Sequence, residues 1–239
     1  MTNQKVLLSS GGMDSFLLAH EPELRGAIHV FVNIRQKYLA KEQVAAQLVA
    51  KLAGAQFVQM KTLDMAAWEH PTGIIPFRNA ELILCAAQNG NLIYLGVIAD
   101  EINSDKSPEF CKAMEDVLNI SHRPQYWTEG KHFEIRTPFR HMSKTHLLQR
   151  YLSNGGSMEN VLQSVSCYDG GQHHCGRCAS CFKRWVALTN VTTHNEWEKW
   201  GFLHDPFTWQ TPAYWGKKFE GYARDRAAEI ESALFYAQL

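Results

Sequence analysis

Short runs of consecutive apolar residues alternate along the chain with longer stretches in which apolar positions recur every three or four residues. KVLLSS from Lys5, AIHVFVNI from Ala27, AQFVQMKTL from Ala55 and NLIYLGVIA from Asn91 are of the first kind, and their length and β-branched content predict strands. The segment from Ala40 to Leu52 is of the second kind: Val44, Leu48, Val49 and Leu52 fall at helical spacing, leaving Lys41, Glu42, Gln47 and Lys51 to solvent. The same period predicts helices in AELILCAAQNG after Arg78 and Asn79, from Glu109 to Leu118 and from Lys144 to Leu152. FLLAHEPEL reads as a helix start and FEIRTPF as a fifth strand. Repeated strand-helix-strand units with apolar strands imply an α/β fold, a Rossmann-like doubly wound parallel sheet covered by helices on both faces.

Composition narrows the function more than the fold. The chain has 239 residues, 45% of them hydrophobic, enough for an ordinary core. Lys+Arg and Asp+Glu both number 24, so no overall basic field attracts nucleic acid and no polybasic run marks a membrane surface. No apolar stretch approaches the length of a membrane span, and the N-terminal apolar segment is too short for a signal peptide, so the expected location is the cytoplasm. Cysteines stay reduced there, and four of the six crowd between Cys167 and Cys181, which points to metal rather than to disulfides.

Two constellations carry chemistry. The first is SSGGMDS, residues 9–15, placed between the first strand and the first helix. Ligands of open parallel sheets bind beyond the carboxyl ends of the strands. Glycines at such a tip let the backbone approach an anion, and the free amides of the helix start with the Ser10 and Ser15 hydroxyls would donate to it. The bland alternative is a glycine turn capped by Asp14 or Ser15. The segment lacks the Gly-Lys-Ser/Thr ending of a P-loop. It resembles instead the PP-loop, SGGxDS, of the ATP pyrophosphatases, which cleave ATP between the α and β phosphates.

The second constellation is SCYDGGQHHCGRCASCFKRW. Cys167, Cys175, Cys178 and Cys181 offer four soft ligands in tight steps, a closed set that fits a structural Zn2+. His173 or His174 in place of Cys167, or an iron–sulfur cluster on the four thiolates, are the other metal readings. Cys85 and Cys111 fall at apolar positions of predicted helices and read as core residues. Residues 1–160 form the ATP-binding α/β domain in this reading, and 161–239 a small zinc-binding lobe with an aromatic-rich helical tail.

Together the two motifs resemble the QueC family of 7-cyano-7-deazaguanine synthases over roughly residues 5 to 190. VNIRQKYLAKEQVAAQLVAKLAGA is similar to the family's YGQRH segment and its helix, PFRNAELILCAA to its GRN-containing helix, and TPFRHMSK to its strand-to-helix turn ending in Lys. The resemblance implies an ATP-dependent carbon–nitrogen ligase. A carboxylate on a 7-deazaguanine attacks the α-phosphate, pyrophosphate leaves, and ammonia captures the acyl-adenylate as an amide, which a second ATP would help convert to the nitrile. It also implies roles for residues here. Ser10, Gly11, Gly12, Met13, Asp14 and Ser15 hold the pyrophosphate with Mg2+, Lys144 supplies positive charge, and Arg78 and Asn79 lie near the nucleotide or the reacting carboxylate. Asp14, Lys144 and Arg78 are the catalytic candidates, with Asp105, Glu109 and Phe110 at the substrate.

Departures from the family pattern concentrate where the substrate is read. ADEINSDKSPEF departs from the family's SGYPDCRPEF segment and has Ser107 where Arg is usual; the glycine and histidine of YGQRH are absent. These changes, with the aromatic tail (Trp185, Trp197, Trp200, Phe202, Phe207, Trp209, Tyr214, Trp215, Phe219, Tyr222), motivate a second reading in which the activated deazaguanine is joined to a protein amine, as in QueC-like proteins of anti-phage defence operons. The aromatics themselves form either a small core over the metal lobe or a docking surface, for which a homodimer is the first expectation. A third reading is a non-catalytic nucleotide-binding zinc module. The intact SGGMDS with Lys144 argues against it.

Overall fold

In the computed structural model, which describes residues 3–70, 74–99, 104–209 and 224–238, five strands lie side by side as one sheet. They are β1 (Lys5–Leu8), β2 (Ile28–Asn33), β3 (Phe57–Lys61), β4 (Leu92–Tyr94) and β5 (Glu134–Arg136). Their order is β3-β2-β1-β4-β5, and every neighbouring pair is parallel, with Leu7 opposite both His29 and Tyr94. Successive side chains of a strand point to opposite faces, so both faces need cover. Leu7, Leu92 and Tyr94 join one buried cluster with α1 (Met13–Ala19) and Val49 of α2 (Leu39–Leu52). Val6, Val30, Ile93 and Ile135 join the other, with α3 (Arg78–Ala87) and α4 (Pro108–Ser121). This is the α/β sandwich that the unbroken apolar strands predict. From β1 the chain runs outward to β2 on one side and later returns to β4 on the other. The helices there leave on opposite faces, and a crevice opens at the carboxyl ends of β1 and β4.

Two local differences from the sequence pattern shape that crevice. NLIYLGVIA pairs as a strand only through Tyr94; beyond it the chain stays extended, and Leu95 donates to the Arg136 carbonyl at 3.0 Å. There Gly96 packs under the β1–α1 loop, where an added Cβ would lie 3.3 Å from the Asp14 carbonyl carbon and the Ser15 nitrogen. On α2 the buried stripe is Ala45, Ala46, Val49 and Ala50, while Val44 is 65% exposed. Small side chains face inward because the loop backbone comes down on them: an added Cβ on Gly11 would sit 2.6 Å from the Ala46 nitrogen and 2.7 Å from the Ala45 Cβ. Gly11 also has φ of +72°, a conformation that costs other residues ~1–2 kcal/mol. Adding the usual ~1–3 kcal/mol of overpacking, Gly11→Ala is expected to lower stability by about 2–4 kcal/mol, read as a lower midpoint of denaturant unfolding.

The C-terminal third packs on the α1 face. There α5 (Lys144–Ser153), α6 (Met158–Leu162), α7 (Ala179–Thr192), α8 (Pro206–Trp209) and α9 (Arg224–Tyr236) follow in chain order. Trp185, Trp200 and Phe202 are buried in the same cluster as Phe16, Leu148 and Ile230, and Trp197 and Phe207 pack against it. This part of the aromatic tail is therefore core. Tyr214, Trp215, Phe219 and Tyr222 lie outside the described residues, as does the side chain of Trp209. Among the described residues no helix is long and apolar enough to cross a membrane.

Candidate functional site

The crevice is a cavity of about 520 Å³ reached by the loop after β1, the end of β2, the chain after β4, the first turn of α3 and the cysteine lobe. Residues 9–15 form its floor. Ser9 extends the sheet by donating to the Val30 carbonyl at 2.9 Å, and the Val165 amide donates to the Gly11 carbonyl at 2.8 Å. Gly12 is the N-cap of α1 and offers no side-chain cap, so the first-turn amides are not closed off by their own helix. The hydroxyls are otherwise engaged than the motif alone implies. Ser10 Oγ accepts from the Gly12 amide at 3.3 Å, and Ser15 Oγ donates to the Gly12 carbonyl at 3.0 Å, tying the loop to the helix. Met13 is fully buried and faces the cavity from the loop, its amide directed at Ser166 Oγ, 3.5 Å away.

The structure brings Asp14 and Lys144 together across 130 positions of sequence: Lys144 Nζ donates to Asp14 Oδ1 at 2.5 Å, with the lysine side chain 6% exposed and the aspartate 21%. Lys144 opens α5, whose N-cap Ser143 accepts from the His146 amide at 3.2 Å. The tail helix holds this turn. The Glu229 carboxylate accepts from Ser143 Oγ, from Thr145 Oγ1 at 3.1 Å and from Arg226 at 2.9 Å. No motif in the sequence marks Glu229. Only the fold places a carboxylate at the start of α5, where it also meets the positive end of the helix.

Arg78 and Asn79 lie in the first turn of α3, both on the cavity wall. Asn79 Nδ2 donates to the Asp105 carbonyl at 3.2 Å; burial works against the charge of the Arg78 guanidinium, while nearby Tyr38, Tyr168, Glu42 and Asp105 favour it and hold its pKa above the usual value. The residue before them, Phe77, has φ of +61° and is 72% exposed, its ring edge-on to Trp68 at 6.5 Å. Arg35, at the missing glycine of the YGQRH segment, has the same left-handed φ. Glu109 and Phe110 are not brought to the cavity: Glu109 is exposed in the first turn of α4, and Phe110 packs against the core beneath the sheet. Ser107 fixes that turn by accepting from the Phe110 amide at 3.1 Å.

The helical pattern leaves Glu42 to solvent, yet its carboxylate lines the cavity. Tyr38, at the N-cap of α2, is buried against Tyr168 with ring centroids 5.5 Å apart, and this turns the first turn of the helix inward. Burial raises the Glu42 carboxyl to about 7, although Gln36 Nε2 donates to it at 2.8 Å.

The Sγ atoms of Cys167, Cys175, Cys178 and Cys181 lie within 4.8 Å of one another, close enough to hold a metal ion. Backbone amides point at the sulfurs, from Asp169 and Cys175 to Cys167 at 3.3 Å each and from Arg177 to Cys175 at 3.3 Å. Such donors stabilise thiolates and orient metal ligands. His174 does not replace Cys167, because its Nε2 accepts from the Ser166 amide at 3.1 Å. The lobe also builds the cavity: Ser166 and Tyr168 flank Cys167, and Ala179 and Ser180 separate Cys178 from Cys181, all on its wall.

The model of queuosine biosynthesis protein QueC matches residues 59–192, more than half of the chain. The chain belongs to the QueC family. Curated relatives cover most of its length. A 7-cyano-7-deazaguanine synthase of Methanosphaerula palustris is 28% identical over 218 residues, 78% of this chain and 94% of the relative. One from Marinobacter nauticus is 29% identical over 222 residues, 79% of this chain and 93% of the relative. Among solved structures, the U34-tRNA thiolase NcsA from Methanococcus maripaludis with its [4Fe-4S] cluster aligns with a TM-score of 0.42 and 15% identity, over 64% of this chain and 57% of that one. The QueC match begins within β3, so the β1–α1 loop and the first turn of α2 lie ahead of it.

Proposed function

We propose that this QueC-family chain is an ATP-dependent ligase that adenylates 7-carboxy-7-deazaguanine and amidates it with ammonia. In this reading a carboxylate oxygen of the base attacks the α-phosphorus of ATP, the α–β bond breaks, and pyrophosphate leaves with the bonding electrons. Ammonia then displaces AMP from the acyl carbon, giving the amide, and a second ATP supports its dehydration to the nitrile. The observation that carries the reading is the buried Lys144 ammonium held against Asp14 at the tip of the β1–α1 loop. Positive charge fixed in a water-poor site stabilises the charge that grows on the departing pyrophosphate, and the loop amides from Gly11 to Ser15 would add donors around it. Asp14, a partly exposed carboxylate, would hold the Mg2+, which neutralises the leaving group when bound. Arg78 and Asn79 border the reacting carboxylate. Asp105 reaches that edge through the carbonyl bonded to Asn79, whereas Glu109 and Phe110, away from the cavity, take no part in it.

Zn2+ suits the four cysteines. Sulfurs about 2.3 Å from one ion stand about 3.8 Å apart, and Cys175 and Cys181 stand 3.9 Å apart. An iron–sulfur cubane would spread them further. Incubating the purified protein with ATP, Mg2+, ammonium and 7-carboxy-7-deazaguanine is expected to yield AMP, pyrophosphate and an amide or nitrile by mass spectrometry. AMP production with ammonia present but without either product would overturn the reading.

A protein amine as acceptor has one observation in its favour. Phe77 and Trp68 are exposed, and Ile74, also exposed, lies on the cavity wall, a rim suited to a bulky partner. Intact-mass measurement of a candidate partner after incubation with ATP and the base distinguishes the two acceptors, and no mass gain removes the second.

A further inference from the structure

Two acceptor groups on the cavity wall have no part in the adenylation chemistry above. Gln36 is 6% exposed and lines the cavity; its Nε2 donates to Glu42 at 2.8 Å, and its Oε1 is buried with no hydrogen-bond partner. A buried acceptor left unpaired costs about 1–3 kcal/mol, so a site that keeps one is matched to a ligand that donates to it. Glu42 accepts from Gln36 through Oε2, and its carboxyl group lines the same cavity. Tyr38, Tyr168 and Arg78 line the same cavity. Together the wall offers acceptor oxygens, two aromatic rings and one multiple donor.

Only some bases match that set of groups. A guanine-type base presents two adjacent donors, the 2-amino group and N1–H, followed by the C6 carbonyl, and in a 7-carboxy-7-deazaguanine the carboxylate stands beside that carbonyl. Adenine presents its 6-amino donor beside N1, an acceptor, which two oxygens would repel. We infer that Gln36 and Glu42 are the specificity-determining residues for the base, accepting from its 2-amino and N1–H donors, with Arg78 at the C6 carbonyl and the reacting carboxylate. This rests on the proposed function and adds to it how the substrate is told from other purines. Binding would pair the Gln36 oxygen, and the carboxylate of Glu42 would gain charge-assisted bonds of the strong class.

The experiment is calorimetric binding to the full-length protein in the presence of α,β-methylene ATP. 7-Carboxy-7-deazaguanine is compared with its analogue lacking the 2-amino group, on the wild type and on Glu42→Gln and Gln36→Leu. The wild type is expected to bind the analogue about 10- to 100-fold more weakly, the scale of one lost hydrogen bond to a charged or otherwise unpaired group. Both variants should lose most of this preference while binding the nucleotide analogue as the wild type does, which also reports that they are folded. A wild-type protein that binds both bases equally overturns the inference and leaves the proposed reaction standing. One that binds the nucleotide but neither base overturns both. Variants that lose nucleotide affinity and keep base discrimination assign the two side chains to adenine instead, and overturn the inference alone.

Discussion

Lys144→Met is expected to slow AMP formation by roughly 10²- to 10³-fold, the effect of deleting one preorganised charge-stabilising donor. The ammonium is buried and fixed against Asp14 before any substrate binds, so it needs no reorganisation as charge develops. Its effect should fall on the rate more than on nucleotide affinity. The negative charge on the β-phosphate grows as the α–β bond breaks, and an interaction that strengthens only then lowers kcat and kcat/KM together. Stability should change by only about 1–2 kcal/mol, because Met preserves the length of the side chain and Asp14, one-fifth exposed, can be solvated when unpaired. Lys144→Arg is not expected to rescue, since a wider planar cation does not fit where the lysine side chain is 6% exposed. Pyrophosphate release at saturating substrates, beside calorimetric binding of α,β-methylene ATP, checks both parts. A variant that releases pyrophosphate at the wild-type rate removes Lys144 from the chemistry, and with it the observation on which the proposed function stands.

The parallel sheet is readable from the sequence because strands buried on both faces carry unbroken apolar runs, as in Val6–Leu8 of β1, Val30–Val32 of β2 and all of β4. The cysteine cluster is equally readable. Its ligands are close in sequence, so a local turn gathers three of them. Asp14 and Lys144 are 130 positions apart, and no periodicity links them; the expectation that both meet the nucleotide rested on family resemblance alone. Glu42 was out of reach for a different reason. Helical period divides a helix into core and solvent faces, and a side chain turned into a cavity satisfies neither description. Val44 and Ala46 reverse the expected order because a hydrophobic scale prefers valine, whereas the close approach of Gly11 admits only small residues at that contact. Glu229 is invisible to sequence reasoning, since an acidic residue on a charged terminal helix reads as solvated until the helix is docked on α5.

Removing the metal from the cysteine lobe is expected to lower the melting temperature by about 10 °C or more and to weaken nucleotide binding with it. Structural tetrathiolate zinc contributes its binding free energy directly to folding; for a protein of this size each kcal/mol shifts the melting temperature by roughly 2–4 °C, so a net loss of about 4 kcal/mol suffices. The loss would not stay in the lobe. Cys167 and Cys181 are buried in the same cluster as Phe16 and Trp185, so spreading the thiolates apart disturbs α1, the helix that follows the β1–α1 loop. A second connection runs through hydrogen bonds. His174, beside Cys175, accepts from the Ser166 amide; the Ser166 hydroxyl faces the Met13 amide, and the neighbouring Val165 amide holds the Gly11 carbonyl. Without the ion, like-charged thiolates at these distances repel or take up protons, and the 165–175 segment loses the geometry that braces the loop. Chelation under reducing conditions, followed by differential scanning calorimetry and α,β-methylene ATP binding, should show both effects, and restoring Zn2+ should reverse them. Cys175→Ser should reproduce them without a chelator. A chelated protein that melts lower yet binds the nucleotide unchanged would confine the metal to the lobe and break the link from Cys167 to the loop.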